Sequence, residues 1–261
     1  MPEIVDWYMV GNIQTGPLIS HTVLKTTQIT KKFGELTAVS DLSFEVQKGQ
    51  IYGIAGPNGA GKSTLYDLIT GNYSYEGKIE FDGQNISGRS PYQIAKRGIA
   101  RTFQIPHTFP SLTVEKSICV GSRFGSKQGL NLDHVDELIH FLGLESQRMQ
   151  KTGHLNLLDK KKLMIAAALA TKPKMLMLDE PMAGSNTMEI KNLMDVIRSI
   201  NENLGVTIII IEHFMKVLTE LTEKLLIIDA GQMICCDAPE IATINPQVIE
   251  CYLGRAYAEG Q

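Results

Sequence analysis

The chain contains 261 residues with a formal net charge of −3, and 43% of its residues are hydrophobic and 20% charged. At about 150 residues per domain, this length is typical of one large domain or two small ones, and the composition excludes a disordered or fibrous chain. Nucleic acid is not expected as a main partner, because such binding depends on a strongly basic surface that neutralises phosphates.

The sequence shows neither a secretory signal nor a membrane-spanning segment. Glu3 lies where a signal peptide would carry Lys or Arg, and no apolar stretch follows it. The longest apolar runs, residues 175–178 and 208–211, are far shorter than the roughly 20 residues of a membrane helix. We therefore expect a cytoplasmic chain that contacts a membrane only through another protein.

The first third of the chain predicts antiparallel strands around a strand, loop and helix unit. Residues 1–20 show no periodicity and are predicted to form an N-terminal extension without an assigned function. Strand-like segments lie at residues 23–31, 42–46, 51–55 and 77–81. The turn Asp82-Gly83 predicts a hairpin, and Ser90-Pro91 has the capping serine and first-turn proline of a helix start. We expect an antiparallel meander here.

The middle of the chain predicts helices, and the last third alternates short strands with helices. The apolar residues Leu132, Val135, Leu138, Ile139 and Leu142 share one helical face, and residues 163–170 are apolar nearly all round. Two apolar runs, residues 175–178 and 207–211, are too short for helices, and a long helix is predicted between them. The inward-facing residues of this long helix are Ile190, Leu193, Met194, Ile197 and Leu204. A short final helix is predicted at residues 247–253. This alternation predicts a parallel sheet that is covered on both faces.

A glycine-rich stretch between residues 55 and 65 has the spacing of a phosphate-binding P-loop. Its members are Gly56, Pro57, Asn58, Gly59, Ala60, Gly61, Lys62, Ser63 and Thr64. In such a loop the backbone N–H groups and the helix start bind phosphate oxygens. Lys62 is expected to reach the β and γ phosphates, and the Ser63 hydroxyl to ligate Mg²⁺. The alternative, a plain glycine-rich turn, does not explain the strand before the loop or the helix after it.

An acidic pair follows the short apolar run at residues 175–178. Asp179 and Glu180 come directly after residues 175–178, so Asp179 could help to hold Mg²⁺ and Glu180 could polarise an attacking water. A strand that meets solvent also often ends in acidic residues, so this signal is weak without the P-loop. Gln104 and His213 alone would be interpreted as loop or helix-capping residues.

Together these motifs resemble those of the ATP-binding cassette ATPases, from about Val23 to Tyr252. The resemblance implies an α/β fold with a P-loop NTPase (RecA-like) core, an antiparallel β subdomain and an α-helical subdomain at about residues 105–170. It places this ATPase domain at residues 21–255, followed by a C-terminal tail at 256–261. The cofactors that it implies are ATP and Mg²⁺.

The resemblance also implies individual roles. Phe33 would stack on adenine, residues 56–64 would be the Walker A motif, and residues 183–186 would be the D-loop. The implied catalytic residues are Glu180, His213, Gln104 and Lys62. The implied magnesium-binding residues are Ser63, Gln104 and Asp179. Gln104 would sense the γ-phosphate beside the permease contact, and His213 would hold that phosphate.

Four segments are similar to the ATPase subunit of branched-chain amino acid importers: residues 33–39, 98–104, 211–213 and 246–254. The resemblance implies a peripheral subunit on the inner face of the cell membrane, which dimerises around two ATP molecules and drives a permease. ATPases for urea, short-amide or lipopolysaccharide transport look similar and remain alternatives. The segment 105–110, with two prolines and a phenylalanine, is the predicted permease contact.

The sequence departs from the family at two motifs. Residues 155–159 read Leu-Asn-Leu-Leu-Asp where the family has Leu-Ser-Gly-Gly-Gln, so Asn156 could still donate an N–H but Leu158 is bulky. In the D-loop, Ser185 and Asn186 replace the usual Leu and Asp. We therefore favour a heterodimer with a second cassette, and we keep a regulatory cassette with little hydrolysis as an alternative.

Two other classes fit the sequence poorly. A soluble cassette that acts on ribosomes or DNA would generally need two cassettes in one chain, a long helical insertion or a basic face. A GTPase would need an Asn-Lys-x-Asp stretch that reads guanine, and the sequence has none.

Overall fold

Residues 21–125 and 129–253 are described in the computed structural model. The predicted N-terminal extension at residues 1–20 and the predicted tail at 256–261 lie outside these residues. The described chain divides into two units, one of residues 95–206 and one of residues 21–94 together with 207–253.

The N-terminal part contains a four-stranded antiparallel sheet and the beginning of a second sheet. Its elements are β1 (Thr22–Phe33), β2 (Leu36–Gln47), β3 (Ile51–Ala55), α1 (Lys62–Ile69), β4 (Glu76–Phe81), β5 (Gln84–Asn85) and α2 (Pro91–Ala95). The antiparallel strands lie in the order β2-β1-β4-β5. Because β3 leaves this sheet and β4 pairs with β1, the strands do not form the simple meander that we expected.

The predicted turns of this region are confirmed. Asp82 and Gly83 connect β4 to β5 with positive φ angles of 50° and 72°, as a tight hairpin requires. The Ser90 hydroxyl accepts a hydrogen bond from the Gln93 N–H at 3.5 Å, so Ser90 caps α2 as predicted.

Residues 95–206 form a mainly helical unit with two parallel strands. Its elements are β6 (Ile99–Arg101), α3 (Val114–Gly125), α4 (Leu132–Phe141), two 3₁₀ turns (Glu145–Gln147 and Thr152–His154), α5 (Leu157–Leu169), β7 (Met175–Asp179) and α6 (Thr187–Leu204). The predicted apolar face of α4 is buried except at Leu132, which is the first helical residue and is 58% exposed. In α6, Ile190 is only half-buried.

Most of residues 163–170 are buried, as predicted, but α5 begins at Leu157, earlier than this apolar run. Its start is determined by Asn156, whose side chain accepts a hydrogen bond from the Asp159 N–H. The helix α3 packs closely on α5 at Gly121, where a Cβ atom would lie 2.2 Å from the Ala167 carbonyl oxygen.

The C-terminal part completes the second sheet of its unit. Its elements are β8 (Thr207–Ile211), α7 (Met215–Leu221), β9 (Lys224–Asp229), β10 (Gln232–Asp237), α8 (Pro239–Ile244) and α9 (Pro246–Leu253). The strand β3 pairs in parallel with both β8 and β9, while β10 is antiparallel to β9. Every residue of β3 and β8 is buried, which confirms the predicted parallel strands covered on both faces. Among the described residues, no helix has both the length and the hydropathy needed to cross a membrane.

Candidate functional site

The predicted P-loop lies between a buried strand and a helix, as the sequence indicated. β3 ends at Ala55 and α1 begins at Lys62, so residues 56–61 form the connecting loop. Gly56 has a φ of 151° and Gly61 a φ of 102°. Added Cβ atoms would lie 2.0 Å from the Ile228 carbonyl oxygen at Gly56 and 2.3 Å from the Ala38 carbonyl oxygen at Gly61. Only glycine meets both the conformation and the space at these two positions.

The ammonium group of Lys62 is folded back over this loop. Its Nζ donates hydrogen bonds to the carbonyl oxygens of Gly56 at 2.7 Å and Pro57 at 2.9 Å. Lys62 is buried, whereas Ser63 beside it is exposed. The loop therefore combines a positive charge with the first N–H groups of α1, an arrangement that attracts phosphate oxygens.

His213 follows the strand next to the P-loop strand. Ile54 of β3 lies opposite Ile211 of β8, so the P-loop and His213 both come after the carboxyl ends of adjacent parallel strands. The Glu212 N–H donates to the Ile54 carbonyl oxygen at 3.4 Å. Ligands of open α/β sheets bind outside this edge. The phosphate-holding role of His213 stays a prediction.

Phe33 lies at the end of β1 and is half-exposed. Its ring packs edge-to-face on Tyr73, with 5.2 Å between the ring centroids. The Lys31 Nζ lies 4.9 Å from the centroid of the same ring. An accessible aromatic face of this kind could stack on a base, and its assignment to adenine stays a prediction.

The C-terminal helix α9 contributes a residue that sequence analysis did not single out. The hydroxyl of Tyr252 is buried beside the P-loop. Burial is the main cause that raises the pKa of Tyr252 to about 12, and an interaction with the backbone of Gly56 partly opposes this rise. Tyr252, which belongs to a segment similar to the importer ATPases, thus lies next to Gly56, the first residue of the P-loop.

In the other unit, the strands β6 and β7 place the predicted acidic pair beside the segment that contains Gln104. The two strands are parallel, with Arg101 opposite Met177, and the Thr102 N–H donates to the Met177 carbonyl oxygen at 2.9 Å. The Gln104 Nε2 donates a hydrogen bond to the Glu180 carboxylate. Two of the predicted catalytic residues are therefore in direct contact.

Asp179 has a partner that the sequence did not reveal. The Arg101 Nη2 lies 2.8 Å from the Asp179 Oδ2, and the two side chains are only 10% and 9% exposed. A charged residue three positions before Gln104 was the available signal, but nothing in the sequence alone indicated which acid it would meet.

Glu180 has a backbone conformation that is rare for its residue type. Its φ of 46° lies in the left-handed region, directly after the last residue of β7. This conformation costs about 1–2 kcal/mol in a residue other than glycine. In the turn that follows, the Ala183 N–H donates a hydrogen bond to the Glu180 carbonyl oxygen at 3.1 Å. Strain of this kind is concentrated at functional sites, where the surrounding contacts maintain it.

The segment in place of the family signature is a helix cap. The Asn156 Oδ1 accepts from the Asp159 N–H at 2.8 Å, and its Nδ2 donates to the Asp159 Oδ2 at 2.9 Å. The sequence predicts that the Asn156 amide could still donate an N–H, and in the structure its Nδ2 donates within its own chain. Leu158 beside it is half-buried.

Lys161 of α5, a residue that sequence analysis also missed, connects this helix to the D-loop by hydrogen bonds. Lys161 is 3% exposed, and its Nζ donates to the Ala183 carbonyl oxygen at 2.5 Å and to the Ser185 hydroxyl at 2.8 Å. Asn186 caps α6 and forms a capping box with Glu189. Both D-loop departures, Ser185 and Asn186, therefore have local structural roles.

The segment after Gln104 exposes apolar side chains, as predicted. Ile105 is 68% exposed and Phe109 is 56% exposed. The Phe109 carbonyl oxygen accepts hydrogen bonds from the Thr152 hydroxyl and the Leu112 N–H, both at 2.8 Å. The apolar tip is thus held by backbone contacts rather than by burial of its side chains.

Comparisons with known proteins agree with this geometry. The family profile of the ABC transporter matches residues 39–183. The chain is 30% identical to the high-affinity branched-chain amino acid transport ATP-binding protein BraF of Pseudomonas aeruginosa, over 91% of this chain and 100% of that protein. It is 32% identical to the corresponding protein LivG of Escherichia coli, with the same two coverages.

Solved structures show the same fold. A nucleotide-free ATP-binding cassette from an ABC transporter matches with a TM-score of 0.81 and 29% identity, over 90% of this chain and 100% of that chain. The ADP conformation of an ATP-binding cassette of an ABC transporter matches with a TM-score of 0.82, at the same identity and coverage. The predicted fold class is confirmed.

We predict that Gly56→Ala destabilises the chain by about 1–3 kcal/mol more than Gly59→Ala does. Both glycines have positive φ angles, but a Cβ at Gly59 meets no atom within 4 Å, whereas a Cβ at Gly56 meets the Ile228 carbonyl. Denaturant unfolding of the two variants measures the difference. Equal losses of stability would show that the loop can move away from β9 without cost.

Proposed function

Because this chain belongs to the ABC transporter family of ATP-binding proteins, we propose that it is the ATP-hydrolysing subunit that powers a membrane permease. The observation that carries the proposal is the glycine loop at the end of β3, with the Lys62 ammonium folded over it. ATP is the expected nucleotide, since residues 56–64 match the pattern that binds its phosphates.

The chain's own residues would bind and orient the nucleotide and the attacking water. Lys62 would exchange the carbonyls of Gly56 and Pro57 for phosphate oxygens, which are charged and therefore stronger acceptors. Water would attack the γ-phosphorus, the bond to the β-phosphate oxygen would break, and ADP and phosphate would leave. Glu180 would take the proton from the water, and its contact with Gln104 supports a role for Gln104 in orienting the base.

Mg²⁺ fits the donors that the chain offers. The hydroxyl of Ser63 and the carboxylate of Asp179 are oxygen ligands, which this ion prefers, and Mg²⁺ is commonly held by one or two protein groups together with substrate phosphates. When bound, it would neutralise charge on the phosphates. His213, after β8, would hold the γ-phosphate.

We propose that the transported solute is a branched-chain amino acid or a related small solute. The support is that BraF and LivG carry that solute class in their names and match this chain over nearly its whole length. Urea, short amides and lipopolysaccharide remain the alternatives. The purified transporter, reconstituted in vesicles with each solute class in turn, would distinguish them by uptake and by stimulated ATP hydrolysis.

A regulatory cassette with little hydrolysis is the second candidate function. It is favoured by one observation, the replacement of the signature by a helix cap at residues 155–159. The presence of Lys62, Glu180 and His213 supports hydrolysis instead. The hydrolysis rate in the assembled transporter decides between the two candidates.

Lys62→Ala and Glu180→Gln are expected to have separable effects. Lys62→Ala should weaken ATP binding by at least about tenfold, because charge-assisted hydrogen bonds to the phosphates are lost. Glu180→Gln should preserve binding but slow hydrolysis by about 10²–10⁴ if Glu180 is the general base. Lys216→Ala, at an exposed lysine of the same unit as Lys62, is the control. Wild-type hydrolysis by the assembled Glu180→Gln transporter would contradict the role of Glu180.

Phe109 is expected to contact the permease, since it is an exposed apolar residue on a loop held by backbone hydrogen bonds. We predict that a crosslinker attached at Phe109→Cys, in a chain whose four native cysteines are replaced, labels the permease. Phe124→Cys, at a similarly exposed phenylalanine of α3, is the matched control. Labelling from position 124 but never from position 109 would contradict this docking site.

The departures at the signature support an asymmetric pair of ATP sites. In the family, each site joins the Walker motifs of one subunit to the signature of the other. A homodimer of this chain would close both sites with Asn156 and Leu158, and the Asn156 amide already bonds to Asp159. A heterodimer would give residues 56–64 of this chain an intact signature from its partner.

The chain alone should therefore hydrolyse ATP slowly and gain activity with a partner cassette and a permease. In the complete transporter, Glu180→Gln in this chain should reduce hydrolysis far more than the equivalent substitution in the partner cassette. Equal losses from the two substitutions would contradict the asymmetric arrangement, as would rapid hydrolysis by a homodimer of this chain.

A further inference from the structure

Arg101 lies against the carboxylate that we propose for magnesium binding. It is the last residue of β6, and its Nη2 donates to the Asp179 Oδ2 at 2.8 Å. Both side chains are about nine-tenths buried. A buried carboxylate is strongly stabilised by such a partner, because little water is left to solvate its charge.

The same carboxylate cannot satisfy two cations independently. A positive charge beside a carboxylate weakens the attraction of that carboxylate for any other cation. Its attraction for Mg²⁺ must fall for the same electrostatic reason, and the guanidinium also repels the metal ion directly. Occupancy of Asp179 by Arg101 therefore opposes the binding of Mg²⁺.

Arg101 has a second favourable contact besides Asp179. Its Cζ lies 5.1 Å from the centroid of the Phe103 ring, within the range of a cation–π interaction. Phe103 is half-exposed and begins the apolar segment that leads to Phe109. If the Arg101 guanidinium loses its hydrogen bond to Asp179, it would thus keep the Phe103 ring as a partner.

We propose that Arg101 is a positioning residue that competes with Mg²⁺ for Asp179, so that loading of the metal with nucleotide releases the guanidinium toward Phe103. The inference rests on the proposed function, in which Asp179 helps to hold Mg²⁺. In the chain without nucleotide, the positive charge of Arg101 would then balance the negative charge of Asp179. A Mg²⁺-dependent change would then begin at Arg101, three residues before Gln104 and close in sequence to the proposed permease contact.

The test measures ADP binding by calorimetry over a series of Mg²⁺ concentrations at pH 8. Because the ligand is ADP and not ATP, hydrolysis does not contribute. Arg101→Met should lower the Mg²⁺ concentration for half-maximal binding by about tenfold, because the competing charge is absent. Arg101→Lys keeps the charge and should stay within about twofold of the wild type. Arg198→Met removes an arginine from a more exposed ion pair of the same unit and is the matched control.

The expected direction separates competition from structural damage, since a damaged site would need more Mg²⁺ rather than less. An unchanged or increased Mg²⁺ requirement in Arg101→Met would overturn the inference. If Arg101→Met fails to fold, a requirement for less Mg²⁺ in Arg101→Lys than in the wild type would overturn it. Asp179→Asn separates a failure of the proposed function from a failure of the inference about Arg101. If this variant leaves the Mg²⁺ dependence unchanged, the proposed metal role of Asp179 is wrong, and so is the inference.

Discussion

Parallel pairing of buried strands is the constraint on which both units depend. β3 and β8 pair in one unit, and β6 and β7 pair in the other. In each pair the polar side chains lie at or just after the carboxyl ends of the strands, where the backbone leaves the sheet. The strands β3, β7 and β8 are buried throughout, so the chain can change direction and expose functional groups only at these ends.

The charged groups at these ends already have partners within the chain. Lys62 bonds to backbone carbonyls, Asp179 to Arg101 and Glu180 to Gln104. A buried charge without such contacts would be strongly unfavourable. Nucleotide binding at these groups would therefore exchange existing partners for new ones, and its strength would depend on the difference between the two sets of contacts.

The two motifs that depart from the family pattern lie next to each other. Leu157, in place of a glycine, packs beside Gly184 of the D-loop, where a Cβ would lie 3.3 Å from the leucine side chain. Ser185, in place of a leucine, accepts a hydrogen bond from Lys161 on the same helix. The two altered motifs thus form one connected set of contacts in a single chain, which a comparison of motifs one by one does not reveal.

The sequence determined the local elements, whereas the tertiary structure decided which of them meet. The glycine spacing at residues 56–61 and the short apolar runs before Asp179 and His213 were sufficient to predict a P-loop and buried strands, because these depend on nearby residues. The pairing of Arg101 with Asp179 joins residues 78 positions apart, and it follows only from the register of β6 on β7. The order β2-β1-β4-β5 and the contact of Lys161 with the D-loop were likewise decided by packing, since hydropathy periodicity reports which face of an element is buried but not against what.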